Sequence, residues 1–194
     1  RFETTSATTF KTYNPVPSEA YILTPKPSAF PKITGAKVFG VRPGSPFQFL
    51  VTATGDRPLT FSAAQLPKGL KIDAKTGIIT GKLTQAGTYN VVLKAKNAKG
   101  TAERKFRIEC GDRIALTPPM GWNSWNCFAQ EVSAEKVKRA ADAMVSSGLI
   151  NHGWTYVNID DFWENNRDSK DQPLRGKFCD ESGNIIPNKR FPDM

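Results

Sequence analysis

The rhythm of the chain changes at Cys110, and that change limits the possible folds more than any other feature. Before it, apolar residues alternate with polar or smaller ones. Phe47, Phe49, Val51 and Ala53 form one such series. Tyr89, Val91, Leu93 and Ala95 form another, set against Asn90, Lys94 and Lys96. Phe106 and Ile108 sit between Lys105, Arg107 and Glu109. A period of two predicts strands with one buried and one wet face. Turn-forming groups separate the runs: Arg42-Pro43-Gly44, Thr54-Gly55-Asp56, Asp73-Ala74-Lys75-Thr76-Gly77, Ala86-Gly87 and Lys99-Gly100. Short strands spaced by roughly 8–12 residues predict a β-sandwich of immunoglobulin type over 32–110.

After Cys110 the pattern is that of an α/β fold. Gly111-Asp112 and Pro118-Pro119 bracket a linker, 111–118, and a Trp-rich stretch follows, Met120-Gly121-Trp122-Asn123-Ser124-Trp125-Asn126. Ser133 is placed to cap a helix, with Glu135 in its positive first turn. Val137, Ala140, Ala141, Met144 and Val145 recur on one helical face, and Gly148 is placed to end it. Tyr156-Val157-Asn158-Ile159 then reads as a strand running into Asp160-Asp161-Phe162-Trp163. Strand, helix and strand in about 40 residues make a βαβ unit with parallel strands. Such a unit cannot bury both faces alone, so the rest of a larger α/β fold is expected beyond Met194. The chain is thus expected to be multidomain: a Pro-rich extended lead-in (1–31), the sandwich (32–110), the linker, and an α/β portion (119–194).

Composition removes several classes of function. The net charge is +9, with 17 Lys/Arg against 6 Asp/Glu in residues 1–110 and 10 against 12 in 111–194. The basic residues of the first part are dispersed between apolar ones, as on the solvated face of a sheet, and nucleic acid is not an expected partner. No apolar run is long enough to span a membrane. Cys110, Cys127 and Cys179 are widely spaced and His152 is the single histidine, so neither a metal site nor a cofactor is expected. One disulfide is possible and leaves one thiol over. The chain begins at Arg1, so the true start is expected to be missing or cleaved, and no signal peptide is legible.

The residues suited to chemistry cluster at the ends of the two predicted strands. Trp122, Trp125, Asp160, Asp161 and Trp163 lie at or just past the C-terminal ends, where α/β barrels carry their sites. A tryptophan covers the apolar face of a pyranose, and carboxylates accept charge-assisted hydrogen bonds from its hydroxyls. By themselves the same residues fit equally well a core with a helix-capping Asp. Retaining glycosidases use two carboxylates about 5 Å apart on opposite sides of the scissile bond. Adjacent strand residues point to opposite faces, so Asp160 and Asp161 suit binding rather than catalysis.

Two resemblances give this pattern a family. Leu66-Pro67-Lys68-Gly69-Leu70-Lys71-Ile72-Asp73, with Thr76-Gly77-Ile78-Ile79-Thr80-Gly81 and Gly87-Thr88-Tyr89, resembles the Ig-like modules beside bacterial carbohydrate-active enzymes. Such a module serves as a spacer or support, or as a weak glycan binder, although no clustered exposed aromatics are expected here. Leu116-Thr117-Pro118-Pro119-Met120 with Gly121-Trp122-Asn123-Ser124-Trp125-Asn126, then Tyr156 to Trp163, Arg167-Asp168 and Arg190-Phe191-Pro192, resembles the α-galactosidases of glycoside hydrolase family 27. That resemblance covers 115–194. It implies a (β/α)8 TIM barrel, of which this chain holds the first βαβ portion, and hydrolysis with retention by double displacement. It also implies that Trp125 lines the galactose pocket and that Asp160 and Asp161 bind the 4- and 6-hydroxyls, while Trp122 and Trp163 support the site. No residue here matches the nucleophile or the acid/base, which are expected after Met194, so this chain alone is expected to be inactive.

The implied partner is a terminal α-galactoside of an oligo- or polysaccharide, and the implied location is secreted, periplasmic or cell-surface. β-L-arabinopyranosidase and α-N-acetylgalactosaminidase activities are rivals within the family. A non-catalytic glycan-binding or structural surface protein is the rival from another class. Two departures stand out. Phe162 occupies the position after the Asp pair where many members carry a bridging Cys, and the polar stretch Asn165 to Asn188 is longer than the loop of compact members.

Overall fold

The computed structural model describes residues 26–194. The extended lead-in predicted around Pro15, Pro17 and Pro25 lies outside the described residues.

The alternating half folds as predicted. Its strands are β1 (Lys32–Ile33), β2 (Val38–Val41), β3 (Pro46–Leu50), β4 (Ala53–Thr54), β5 (Thr60–Ala64), β6 (Leu70–Ile72), β7 (Ile78–Lys82), β8 (Gly87–Asn97) and β9 (Gly100–Cys110). One sheet runs β2-β9-β8-β5 and the other β3-β7-β6, with β1 paired to β4. All pairs are antiparallel except β2 with β9. In β8, Val91, Leu93 and Ala95 are buried, and in β9 Phe106 and Ile108 are buried. They meet Phe47 and Ile79 of the opposite sheet in one core. Phe39, Phe47, Phe49 and Phe106 touch ring to ring across it, with centroids 4.5–5.4 Å apart.

Local chemistry sets the turns. The Asp73 carboxylate accepts from the Lys75 and Thr76 amides and from the Thr76 hydroxyl. These donors, the Thr76 amide first, hold its pKa below the usual carboxylate range. Asn97, nearly buried, closes the β8–β9 hairpin by accepting from the Lys99 and Gly100 amides. Its Nδ2 donates to the Ala29 and Asp56 carbonyls, so no polar group of this buried side chain is left over.

The second half is a βαβ unit. β10 (Gly121–Asn123) pairs parallel with β11 (Tyr156–Asn158) in the register Gly121↔Tyr156, Trp122↔Val157, Asn123↔Asn158. A short helix, α1 (Trp125–Phe128), and the longer α2 (Ala134–Ser146) lie between them. The Ser133 hydroxyl accepts from the Lys136 amide at 3.3 Å, which is the predicted N-cap. Gly148 follows the helix with φ +80°, in the left-handed region that ends helices. Met144 is buried and Val137 half-buried, but Val145 is 59% exposed. The predicted apolar face is therefore wider than the surface it covers, because only two short strands stand opposite.

All three cysteines are free, so the disulfide allowed by their number is not formed. Among the described residues no helix is long and apolar enough to cross a membrane.

Candidate functional site

The parallel pair ends at Asn123 and Asn158, and both chains are tied together just beyond. The Ser124 amide donates to the Asn158 carbonyl (3.1 Å), and the Asn158 Nδ2 donates back to the Trp122 carbonyl (3.3 Å). Ser124 is buried, and its hydroxyl accepts from the Asp160 amide at 2.9 Å. Asn123 works in two directions. Its Oδ1 accepts from the Trp125 amide (2.9 Å), and its Nδ2 donates to Asp160 Oδ2 (3.0 Å). One side chain thereby fixes Trp125 and Asp160 relative to each other.

Trp125 is 39% exposed and stacks on Phe162, with centroids 6.0 Å apart and planes 29° off parallel. Asp160 and Asp161 are both exposed. Because β11 stops at Asn158, strict alternation of side chains does not govern this pair. Asp161 Oδ1 accepts from the Phe162 amide at 2.8 Å, and Phe162 has φ +66°. A bulky residue in the left-handed region is uncommon and marks a sharp change of chain direction at the rim. Phe162, which departs from the expected Cys, thus forms an aromatic wall beside Trp125. Trp122 and Trp163 are half-buried. Trp122 meets Phe128 edge-on at 5.8 Å.

Sequence reasoning missed three supporting residues. Ser124 and Asn123 hold the pair as described. Asn188 is buried, and its Nδ2 donates to the Phe162 and Glu164 carbonyls at 2.8 and 3.1 Å. It anchors the segment after the Asp pair, so the long loop is organised from its end. Glu164 is the third acidic group here. Burial, and then the neighbouring Asp161, push its pKa above the usual range. One of its carboxyl oxygens is buried with no hydrogen-bond partner.

A cleft of about 630 Å³ lies at the other end of the strands, between the two halves of the molecule. Its lining includes Phe39, Phe49, Met120 and Tyr156, and none of its lining residues is charged. The cleft holds neutral polar side chains, Gln48, Thr52, Thr117 and Thr155, but no carboxylate, so the exposed aromatic and carboxylate rim is the better candidate for a sugar. Among the described residues no group of acidic, His or Cys side chains suits a metal ion.

Known proteins resemble both halves of the chain. The family model described as "Putative Ig domain" matches residues 27–111. Alpha-galactosidase 3 of Arabidopsis thaliana is 42% identical over 98 residues, half of this chain and 22% of that protein. A solved structure from Bacteroides fragilis, titled a putative alpha-galactosidase, is 40% identical with TM-score 0.76, covering 89% of this chain and 35% of its own. A second from the same organism, titled a putative alpha-galactosidase/melibiase, is 43% identical with TM-score 0.72, covering 84% of this chain and 32% of its own. This chain therefore spans between about a fifth and a third of the proteins it resembles.

Proposed function

We propose that this chain, an Ig-like module joined to a segment related to the α-galactosidases, is the sugar-recognising beginning of a retaining exo-glycosidase that removes terminal α-D-galactosyl residues. The α/β segment is the first part of a (β/α)8 barrel, and its division from the module at the 111–118 linker belongs to the same proposal. What supports it best is the joint placement of the Trp125–Phe162 stack with two exposed carboxylates at one strand end. Trp125 covers the apolar face of the galactose, and Asp160 and Asp161 accept from its 4- and 6-hydroxyls. Asn123 and Ser124 position Asp160, while Trp122 and Trp163 support the wall. The nucleophile and the acid/base come from elsewhere in the longer protein, and the enzyme acts outside the cytoplasm.

Release of nitrophenol from nitrophenyl α-galactoside tests this. The natural-length protein turns the substrate over and the 194-residue chain does not. In the natural-length protein, Asp161→Ala lowers kcat/KM by about 10²-fold, the value of a charged hydrogen bond to a hydroxyl, with the melting temperature unchanged. Near-normal turnover by that variant would remove Asp161 from the pocket. Faster turnover of nitrophenyl β-L-arabinopyranoside than of the galactoside would reassign the substrate within the family.

A further inference from the structure

We propose that the Ig-like sandwich is a docked buttress, fixed by a specific junction to the N-terminal ends of the barrel strands, and that it acts on the stability of the α/β part rather than on sugar capture.

The junction is built from three contacts of different kinds. The first is a polar clasp. Arg57 of the sandwich donates to the Asn151 side chain, and the Thr34 hydroxyl donates to the Asn151 carbonyl at 2.7 Å. Asn151 belongs to the turn Leu149–His152 that leads into β11. Both sandwich groups are held in place from behind. Arg57 also donates to the Ala53 carbonyl, and Thr34 shares a 2.8 Å hydrogen bond with Thr52. Arg104 donates to the Ile33 and Gly35 carbonyls on either side of Thr34, so the segment is fixed before it meets Asn151.

The second contact is backbone on backbone. A Cβ at Gly153 would lie 2.8 Å from the Gly35 Cα. Gly153 is buried and has φ +96°. No side chain fits there, so the two halves meet closer than a flexible tether would require. The third contact is the linker itself. A Cβ at Gly40 would lie 2.5 Å from the Arg113 carbonyl oxygen, and the Thr117 hydroxyl donates to the Val38 carbonyl at 3.1 Å. The linker is therefore laid along β2 and is not a free connector.

Direction decides the role. Asn151, Gly153 and Met120 precede the strands, whereas Asp160 and Asp161 follow them. The sandwich grips the opposite end from the candidate sugar site. It also lacks an aromatic platform, since Phe30 is the one large exposed hydrophobic among residues 26–110. The Bacteroides fragilis structure supports a fixed junction. The match covers 89% of this chain with TM-score 0.76, so it takes in residues of both halves, as a like arrangement of the two would give.

Tryptophan emission does not report the sandwich's own unfolding, because the sandwich holds no tryptophan and the four within residues 1–194 all lie after residue 120. In the natural-length protein, Arg57→Ala and Thr34→Val each lower the emission-detected melting temperature by about 2 °C or more, although both changes are in the sandwich. Asn151→Ala does the same, and combining it with Arg57→Ala adds little further. Arg107→Ala, on the exposed sandwich face, leaves the transition in place. Below the transition, kcat and KM for nitrophenyl α-galactoside equal those of the parent. An unmoved emission transition, or fully additive Arg57 and Asn151 effects, overturns the junction. A changed KM at unchanged stability overturns the role as support. Thr34→Val decides the case if Arg57→Ala does not fold. The thermal readout does not depend on which sugar the enzyme cleaves, so failure of the junction and failure of the activity assignment are separable.

Discussion

The two halves of this molecule are built to different degrees of self-sufficiency. The sandwich keeps its apolar side chains to itself: the whole core cluster, from Ile33 to Cys110, lies within it. The βαβ unit leaves Val145, Leu149, Trp154, Tyr156 and Val157 exposed and buries few large side chains, Val132 and Met144 among them, with Leu174 and Phe191 buried in the segment that follows. Two facing sheets can close on each other, whereas a parallel pair with one helix leaves a face without a partner. The difference teaches that strand patterning alone completes a sandwich, while the same patterning in an α/β unit specifies only an edge of something larger.

Substitutions in the two halves put this contrast at risk. Phe106→Ala empties a fully buried site and is expected to cost about 3–5 kcal/mol in denaturant titration of this chain. Tyr156→Ala, at a position 45% exposed, is expected to cost within about 0.5 kcal/mol in the same measurement and distinctly more in the natural-length protein. Equal costs at the two positions in this chain would erase the contrast. Asn188→Ala strips donors from two carbonyls beside the candidate site and is expected to cost about 1–3 kcal/mol. Limited proteolysis reads it directly, with new cleavage inside 165–187. Ser133→Ala removes the cap of α2 and is expected to cost about 1 kcal/mol by thermal melting.

The smallest effect concerns pH. Folding raises the Glu164 pKa, so the folded state prefers the protonated form. Stability contributed by that proton is fully present below the ordinary carboxylate value of 4.5 and is lost as pH rises through the raised one. Glu164→Gln is therefore expected to be slightly more stable than the parent at pH 7, by a few tenths of a kcal/mol after allowing for solvent screening. The two should converge near pH 4. A variant less stable at pH 7 would show that the carboxylate is paired favourably instead.

Much of the fold is legible in the sequence, and what is not has a common physical cause. Alternation reports burial one residue at a time, so the inward positions of Val91, Leu93, Phe106 and Ile108 follow from their spacing alone. Ser133 and Gly148 act on their nearest neighbours, and so mark the helix ends. Asn97, Ser124 and Asn188 are not legible in this way. Asn97 and Asn188 also make local turn bonds, but the burial of all three rests on partners 24 to 68 positions away, which nothing in their neighbouring sequence reveals. Trp125, Asp160 and Asp161 stand out by type and spacing. Their connection through Asn123 depends on strand register, as the Arg57–Asn151 clasp depends on how the halves meet.

The linker laid over β2 also dictates how the module can be handled. β2 is the outer strand of its sheet, and the segment from Arg113 to Thr117 shields it. A module cut after Cys110 would present that strand bare, and bare outer strands recruit copies of themselves. Cutting after Pro118 keeps the shield and should give a monomer at concentrations where the shorter piece self-associates.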